Sequence, residues 1–223
     1  MDKGYLSSFR IKLLKVVKKI KPVYTSEELE KLLKKPDIKT CTFTEYRSWV
    51  MVNYLLATAN RLETLYKVNI EDVDFKSREI SLLHTKNKKQ YKIPLSQNLS
   101  QILAEYLTYR KGDKGDALFC NAYGERMHKR TIQENIQKYN NSRGVEQTSS
   151  HRFRHTFAKL WLMNGGDIFS LQAILGHSSL EMVKEYMEMF CDDLQKGFNI
   201  HNPLDCFNRE KKQQQGNRIR MRT

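Results

Sequence analysis

Between Thr148 and Phe190 the sequence reads T-S-S-H-R-F-R-H-T-F-A-K-L-W-L-M-N-G-G, then D-I-F-S-L-Q-A-I-L-G-H, then S-S-L-E-M-V-K-E-Y-M-E-M-F. His151 and Arg154 stand three apart, so on a helix they share one face. An arginine there can fork two hydrogen bonds onto phosphate oxygens, and a histidine adds a donor or a base. Tyr186 lies on a third helix-like segment, and His177 stands nine positions before it. All are polar groups suited to handling a phosphate: converging in space they would make an active site, and otherwise they decorate an ordinary helical core. Taken singly, each has a plainer reading. H-x-x-R pairs are mostly surface or satisfied core residues, and His177 follows Leu175–Gly176 as a helix-stop residue would. Tyr186, among Leu180, Met182, Val183, Met187 and Phe190, could be a core tyrosine. His155, four after His151, suggests a metal site. However, the zinc-protease pattern needs glutamate directly after the first histidine, where Arg152 stands, and two arginines would oppose a cation. No metal and no cofactor are expected.

The elements that must position these groups are legible from period and punctuation. Ser149 or Ser150 caps the helix of His151 and Arg154, which Gly165–Gly166 end; Asp167 caps the next, which Gly176 ends. Ser178 with Glu181 forms a capping-box pattern opening the helix of Tyr186. Upstream, Thr25 or Ser26 caps a short helix, with Glu28 as the box acid if Thr25 is the cap. A stronger, buried helix covers about Thr44–Ala59, Arg61 follows, and a short helical turn covers Leu62–Val68. V-D-F, E-I-S-L-L-H and Q-Y-K-I-P-L then alternate as short strands, separated by turns holding Lys76–Ser77 and Lys86–Lys89. Ser96 or Asn98 starts a helix to about Arg110, G-D-K-G-D is a loop, and a further helix covers Thr131–Ser142. The fold class is α+β: mostly helical, with a small antiparallel sheet of about three strands.

A formal net charge of +14 over 223 residues points to an anionic partner, nucleic acid before an anionic membrane surface. Residues 5–21 form a basic amphipathic helix ended by Pro22, and residues 22–25 read as a linker. Residues 208–223 are basic and glutamine-rich, of the composition that stays disordered unless bound. Cys41, Cys120, Cys191 and Cys206 form no C-x-x-C pair, which suggests neither zinc nor a disulfide framework and fits a reducing compartment. No apolar run reaches the roughly 18–20 residues of a membrane span.

H-R-F-R-H, then L-G-H, then a tyrosine nine positions on, resembles the tyrosine recombinase (phage integrase) family. A-T-A-N-R-L-E-T-L before V-N-I-E-D-V-D-F resembles the family's segment around its first catalytic arginine, which assigns Arg61. K-N-K-K-Q-Y-K-I-P-L resembles its hairpin K-G-N-K-x-R-x-V-P-L, which places the catalytic lysine at Lys86. The resemblance covers roughly residues 25–195, in order and with similar spacing, and its nearest flavour is the integrases of bacterial phages and conjugative or transposable elements. Two positions depart from the pattern: Ala59 stands where the family has glycine, and Thr64 where it has glutamate, with Glu63 one position early.

What the resemblance implies is a site-specific DNA recombinase that needs neither metal nor ATP. Tyr186 would attack the scissile phosphate, giving a 3′-phosphotyrosyl link and a free 5′-hydroxyl. Arg61 and Arg154 would bind the non-bridging oxygens, Lys86 would protonate the leaving 5′-oxygen, His151 would assist proton transfer, and His177 would hydrogen-bond the phosphate. Its partners would be double-stranded DNA attachment sites and further copies of itself: a monomer when free, a synaptic tetramer on DNA, with no membrane association. A cytoplasmic, nucleoid-associated protein of a bacterium follows. The resemblance divides the chain into a basic helix and linker (1–24), a catalytic domain (25–195) and a C-terminal tail (196–223). Residues 1–21 are too few for the family's N-terminal DNA clamp, which implies a catalytic-domain fragment or a shortened protein. Two other readings remain open on the residues: a DNA-binding regulator or excision helper with impaired catalysis, and a type IB topoisomerase-like enzyme.

Overall fold

The computed structural model describes residues 22–82 and 91–176. The expected basic helix 5–21, Lys86, His177, Tyr186 and the tail lie outside the described residues. The chain runs α1 (Ser26–Leu33), α2 (Phe43–Thr58), α3 (Leu62–Lys67), a 3₁₀ turn (Ile70–Asp72), β1 (Val73–Asp74), β2 (Glu79–Leu82), β3 (Tyr91–Pro94), α4 (Gln97–Arg110), α5 (Lys129–Ser142), α6 (Ser150–Met163) and α7 (Ile168–Leu175).

Helix α2 is the axis of the molecule. Val50, Met51, Val52, Tyr54 and Leu55 are consecutive or nearly so, and each is fully buried. A helix apolar around its circumference can be stable only with neighbours on every side. Accordingly α1, α4, α5 and α6 all pack on it. Thr42 caps its start, accepting the Glu45 N–H at 3.2 Å. On its flanks Trp49 Nε1 donates to the Leu33 carbonyl of α1 at 2.9 Å, and the buried Arg47 donates to the Cys120 carbonyl.

The sheet is antiparallel in the order β1–β2–β3. Its register sets Val73 opposite Ile80 and Ile80 opposite Ile93, three apolar residues facing the core, as period-2 alternation requires. Leu82 pairs with Tyr91, the last described pair before residues 83–90, which carry Lys86. The α+β class and three-stranded antiparallel sheet are as the sequence led one to expect.

Capping chemistry sets most helix ends. Thr25 and Glu28 close a reciprocal capping box on α1, Ser96 caps α4, Ser149 caps α6 and Asp167 caps α7. Helix α5 begins at Lys129, two residues earlier than the sequence suggests. Residues 22–25 are not the linker expected from Pro22. Tyr24 is 4% exposed, its ring lies 4.5 Å from that of Phe153, and its N–H donates to Thr156 Oγ1 at 2.8 Å. An apolar ring with partners on α6 outweighs the local proline signal. No helix among the described residues is long and apolar enough to cross a membrane.

Candidate active site

A turn, not a helix face, delivers Arg61. Helix α2 ends at Ala59 in the left-handed region, φ 52° and ψ 20°. Asn60, buried, donates from Nδ2 to Tyr54 Oη at 3.0 Å, and its N–H reaches Thr58 Oγ1 at 3.3 Å. The chain reverses over these two residues, and Arg61 emerges exposed as the N-cap of α3. Its carbonyl accepts the N–H groups of Thr64 and Leu65 at 2.9 and 3.1 Å.

Helix α6 comes at this turn from the other side. Ser149 Oγ accepts the His151 N–H at 3.2 Å, leaving His151 exposed in the first turn, where the helix end favours anions. One turn later Arg154 is 5% exposed, with Nη1 donating to the Ala59 carbonyl at 2.8 Å and Nη2 to the Leu175 carbonyl at 2.5 Å. A buried guanidinium is costly unless hydrogen-bonded, and charge-assisted bonds to two carbonyls offset that cost. The same bonds tie the ends of α2 and α7 to α6. Around them Ala59, Ala158, Leu171 and Leu175 form a small apolar cluster of their own.

The Ala59 carbonyl that anchors Arg154 belongs to a residue two before Arg61, so the structure brings the two arginines to one place. His151 stands one turn away: Ser149 and Ser150 beside it share a shallow depression with Leu62, the residue after Arg61. Lys86, His177 and Tyr186 are outside the described residues, though Leu82 and Tyr91 on either side of the segment of Lys86, and Gly176 before His177, are placed. Gly176, immediately before His177, closes α7 at φ 59°, a left-handed conformation that glycine takes without strain.

The sequence matches the Phage integrase family over residues 22–191. The chain belongs to this family. The tyrosine recombinase XerC of Chlamydia caviae is 32% identical over 167 residues, which are 73% of this chain and 53% of that protein. XerC of Myxococcus xanthus is 29% identical over 201 residues, 86% of this chain and 65% of the relative. Among solved structures, the XerA recombinase superposes with a TM-score of 0.68 at 26% identity, covering 86% of this chain and 67% of that one. XerH, solved bound to its palindromic difH substrate as a post-cleavage complex, gives 0.67 at 25% identity, covering 82% and 54%. The chain thus spans little more than half the length of several relatives.

As a member of the phage integrase family, the chain explains its own two departures. Ala59 occupies the left-handed position that glycine would fill, and does so with its methyl buried in the small cluster. Glu63 is turned away from the arginines: it bonds Lys129 at 2.7 Å, clasping α3 to α5, and Lys67 at 3.1 Å. Those two lysines hold its carboxyl below the usual carboxylate range.

Two residues beside the site have structural partners that the sequence did not indicate. Arg152, adjacent in H-R-F-R-H, is a buried clamp: it donates to the carbonyls of Gln147 and Val23, pairs with Glu28 at 2.6 Å, and stacks 4.1 Å over the Tyr24 ring. Tyr91 lies on β3 with its hydroxyl against Gly176. Its alternation with the buried Ile93 was the available signal, and that signal reads simply as core.

Proposed function

We propose that this chain cleaves and rejoins DNA strands at a specific site, using Tyr186 as nucleophile and holding the cut end as a 3′-phosphotyrosyl ester. The observation that carries the reading is the bond from Arg154 Nη1 to the Ala59 carbonyl, which sets two guanidinium-bearing residues of distant sequence on one turn, in a chain of this family. XerH was solved with a DNA substrate after cleavage, which supports DNA as the substrate here. A pentavalent phosphorane carries more charge on its non-bridging oxygens than the ground state does, so preorganised cations there lower the barrier. Arg61 and Arg154 fill that role, and His177 donates a hydrogen bond to the same phosphate.

His151, in the first turn of α6, assists removal of the Tyr186 proton, and Lys86 protonates the departing 5′-oxygen. The 5′-hydroxyl of a partner strand then attacks the ester and restores a phosphodiester. One phosphoester is exchanged for another at each step, so no nucleotide is consumed. Exchange between two duplexes needs several active sites, so self-association on DNA, as a tetramer, is part of the proposal. So is the division into a basic segment, a catalytic domain to residue 195 and a tail (196–223), with the boundary of the first two moved from residue 24 to residue 22 by the packing of Val23 and Tyr24 on α6.

The test is a nicked suicide duplex bearing the attachment site, taken from DNA flanking the gene. The wild-type chain should form a denaturant-stable protein–DNA adduct, and Tyr186→Phe should form none. An adduct that survives in Tyr186→Phe assigns the nucleophile elsewhere. DNA binding with no adduct makes the chain a regulator, and relaxation of one supercoil without joining two tagged duplexes makes it a topoisomerase.

A further inference from the structure

The side chain of Tyr91 has no part in the reaction set out above, yet it reaches the same place. Its ring packs against the main core from β3, and its hydroxyl lies 3.5 Å from the position a Cβ on Gly176 would occupy. Gly176 follows Leu175, whose carbonyl holds Arg154, and precedes His177. The phenol therefore stands at the meeting point of the β3 strand, the Arg154 anchor and the end of α7. Burial pushes its ionisation upward, against the lowering influence of Arg154 and then of Arg61, so it stays protonated and remains a donor. A neutral O–H beside two guanidiniums cannot cancel their charge, and it can give a hydrogen bond to an anion that they attract.

We propose that the Tyr91 hydroxyl is a further phosphate-contacting group, donating to a non-bridging oxygen of the scissile phosphate alongside Arg61 and Arg154. The inference rests on the recombinase reading. It also gives the strand next to Lys86 a direct hold on the reacting phosphate, so that β3 is seated when the substrate is.

The full chain is compared with Tyr91→Phe, which keeps the ring and removes only the oxygen. Adduct formation is timed in single turnover on the suicide duplex, with its scissile phosphate native or carrying sulfur at either non-bridging position. Loss of one hydrogen bond to a charged group should slow Tyr91→Phe by about 10–100-fold, with duplex binding by filter retention unchanged. Sulfur is a poor acceptor, so one diastereomer should slow the wild type, and that particular slowing should shrink in Tyr91→Phe. A merely structural tyrosine would slow all three substrates alike. That result, or a Tyr91→Phe rate equal to wild type, overturns the inference while leaving the recombinase reading intact. Absence of any wild-type adduct overturns both.

Discussion

Ala59 shows how closely balanced the terms at one residue can be. A left-handed non-glycine residue costs roughly 1–2 kcal/mol. Against that stand burial of its methyl, about 0.8 kcal/mol, and the unfolded-state freedom glycine would add, about 0.4–1 kcal/mol. The two sides nearly cancel, so Ala59→Gly should change stability by no more than about 1 kcal/mol in urea unfolding. Ala59→Val should behave differently. A β-branched side chain is ill-suited to this backbone, and the surrounding cluster is closed, so a loss of about 3 kcal/mol is expected. If Ala59→Val proved neutral, the left-handed turn that presents Arg61 and anchors Arg154 would have to be looser than it is here. At this scale the sequence offers residue types: His151 and Arg154 stand three apart on one helix face, and the family resemblance points to Arg61. That Arg152 clamps the chain before α1 while Arg154 binds the Ala59 and Leu175 carbonyls was not readable, because two arginines in one motif differ only in what surrounds them.

Between elements, the telling contact is the one that fastens the chain before α1 to α6. Arg152 holds Val23, Gln147 and Glu28 together while its guanidinium lies over Tyr24. Removing one partner of a buried ion pair strands the other, so Arg152→Leu should cost about 3 kcal/mol and open residues 22–26 to limited proteolysis. The exposed pair Lys35–Glu105, at 2.6 Å, is the contrast. Glu105→Gln should cost less than about 1 kcal/mol, because solvent screens both charges. Equal effects from the two substitutions would mean that burial does not set the strength of these pairs. Helix ends were legible in the sequence because caps are local: Thr25, Ser96, Ser149 and Asp167 cap from within three residues. The seating of Tyr24 was not legible, since its partners Phe153 and Thr156 are more than a hundred residues away.

For the whole molecule, the buried tyrosines set an alkaline limit. Burial pushes the phenols of Tyr24 and Tyr139 up to about 12, from an ordinary value of 10.0, and raises Tyr46, Tyr54 and Tyr106 as well. Because the folded values lie above the unfolded one, the unfolded chain loses these protons first. Their contribution is fully present below pH 10 and is lost as pH rises through about 12. The urea midpoint should therefore hold steady up to pH 10 and then fall, and Tyr24→Phe should fall less steeply. A midpoint that declines in parallel for the two proteins would remove Tyr24 from this account.

By itself the sequence determined the class of the fold, the order of its elements and the kind of chemistry its polar residues suit. Periodicity, caps and residue type are local, and each can be read where it stands. Only the tertiary structure decided that Arg61 and Arg154 share a turn, because that depends on a carbonyl freed by the left-handed end of α2 meeting a guanidinium from α6, 95 residues on. It likewise brought Tyr91 to Gly176. Strand alternation gives the face of a side chain, but what that face meets is set by how the helices close over the sheet.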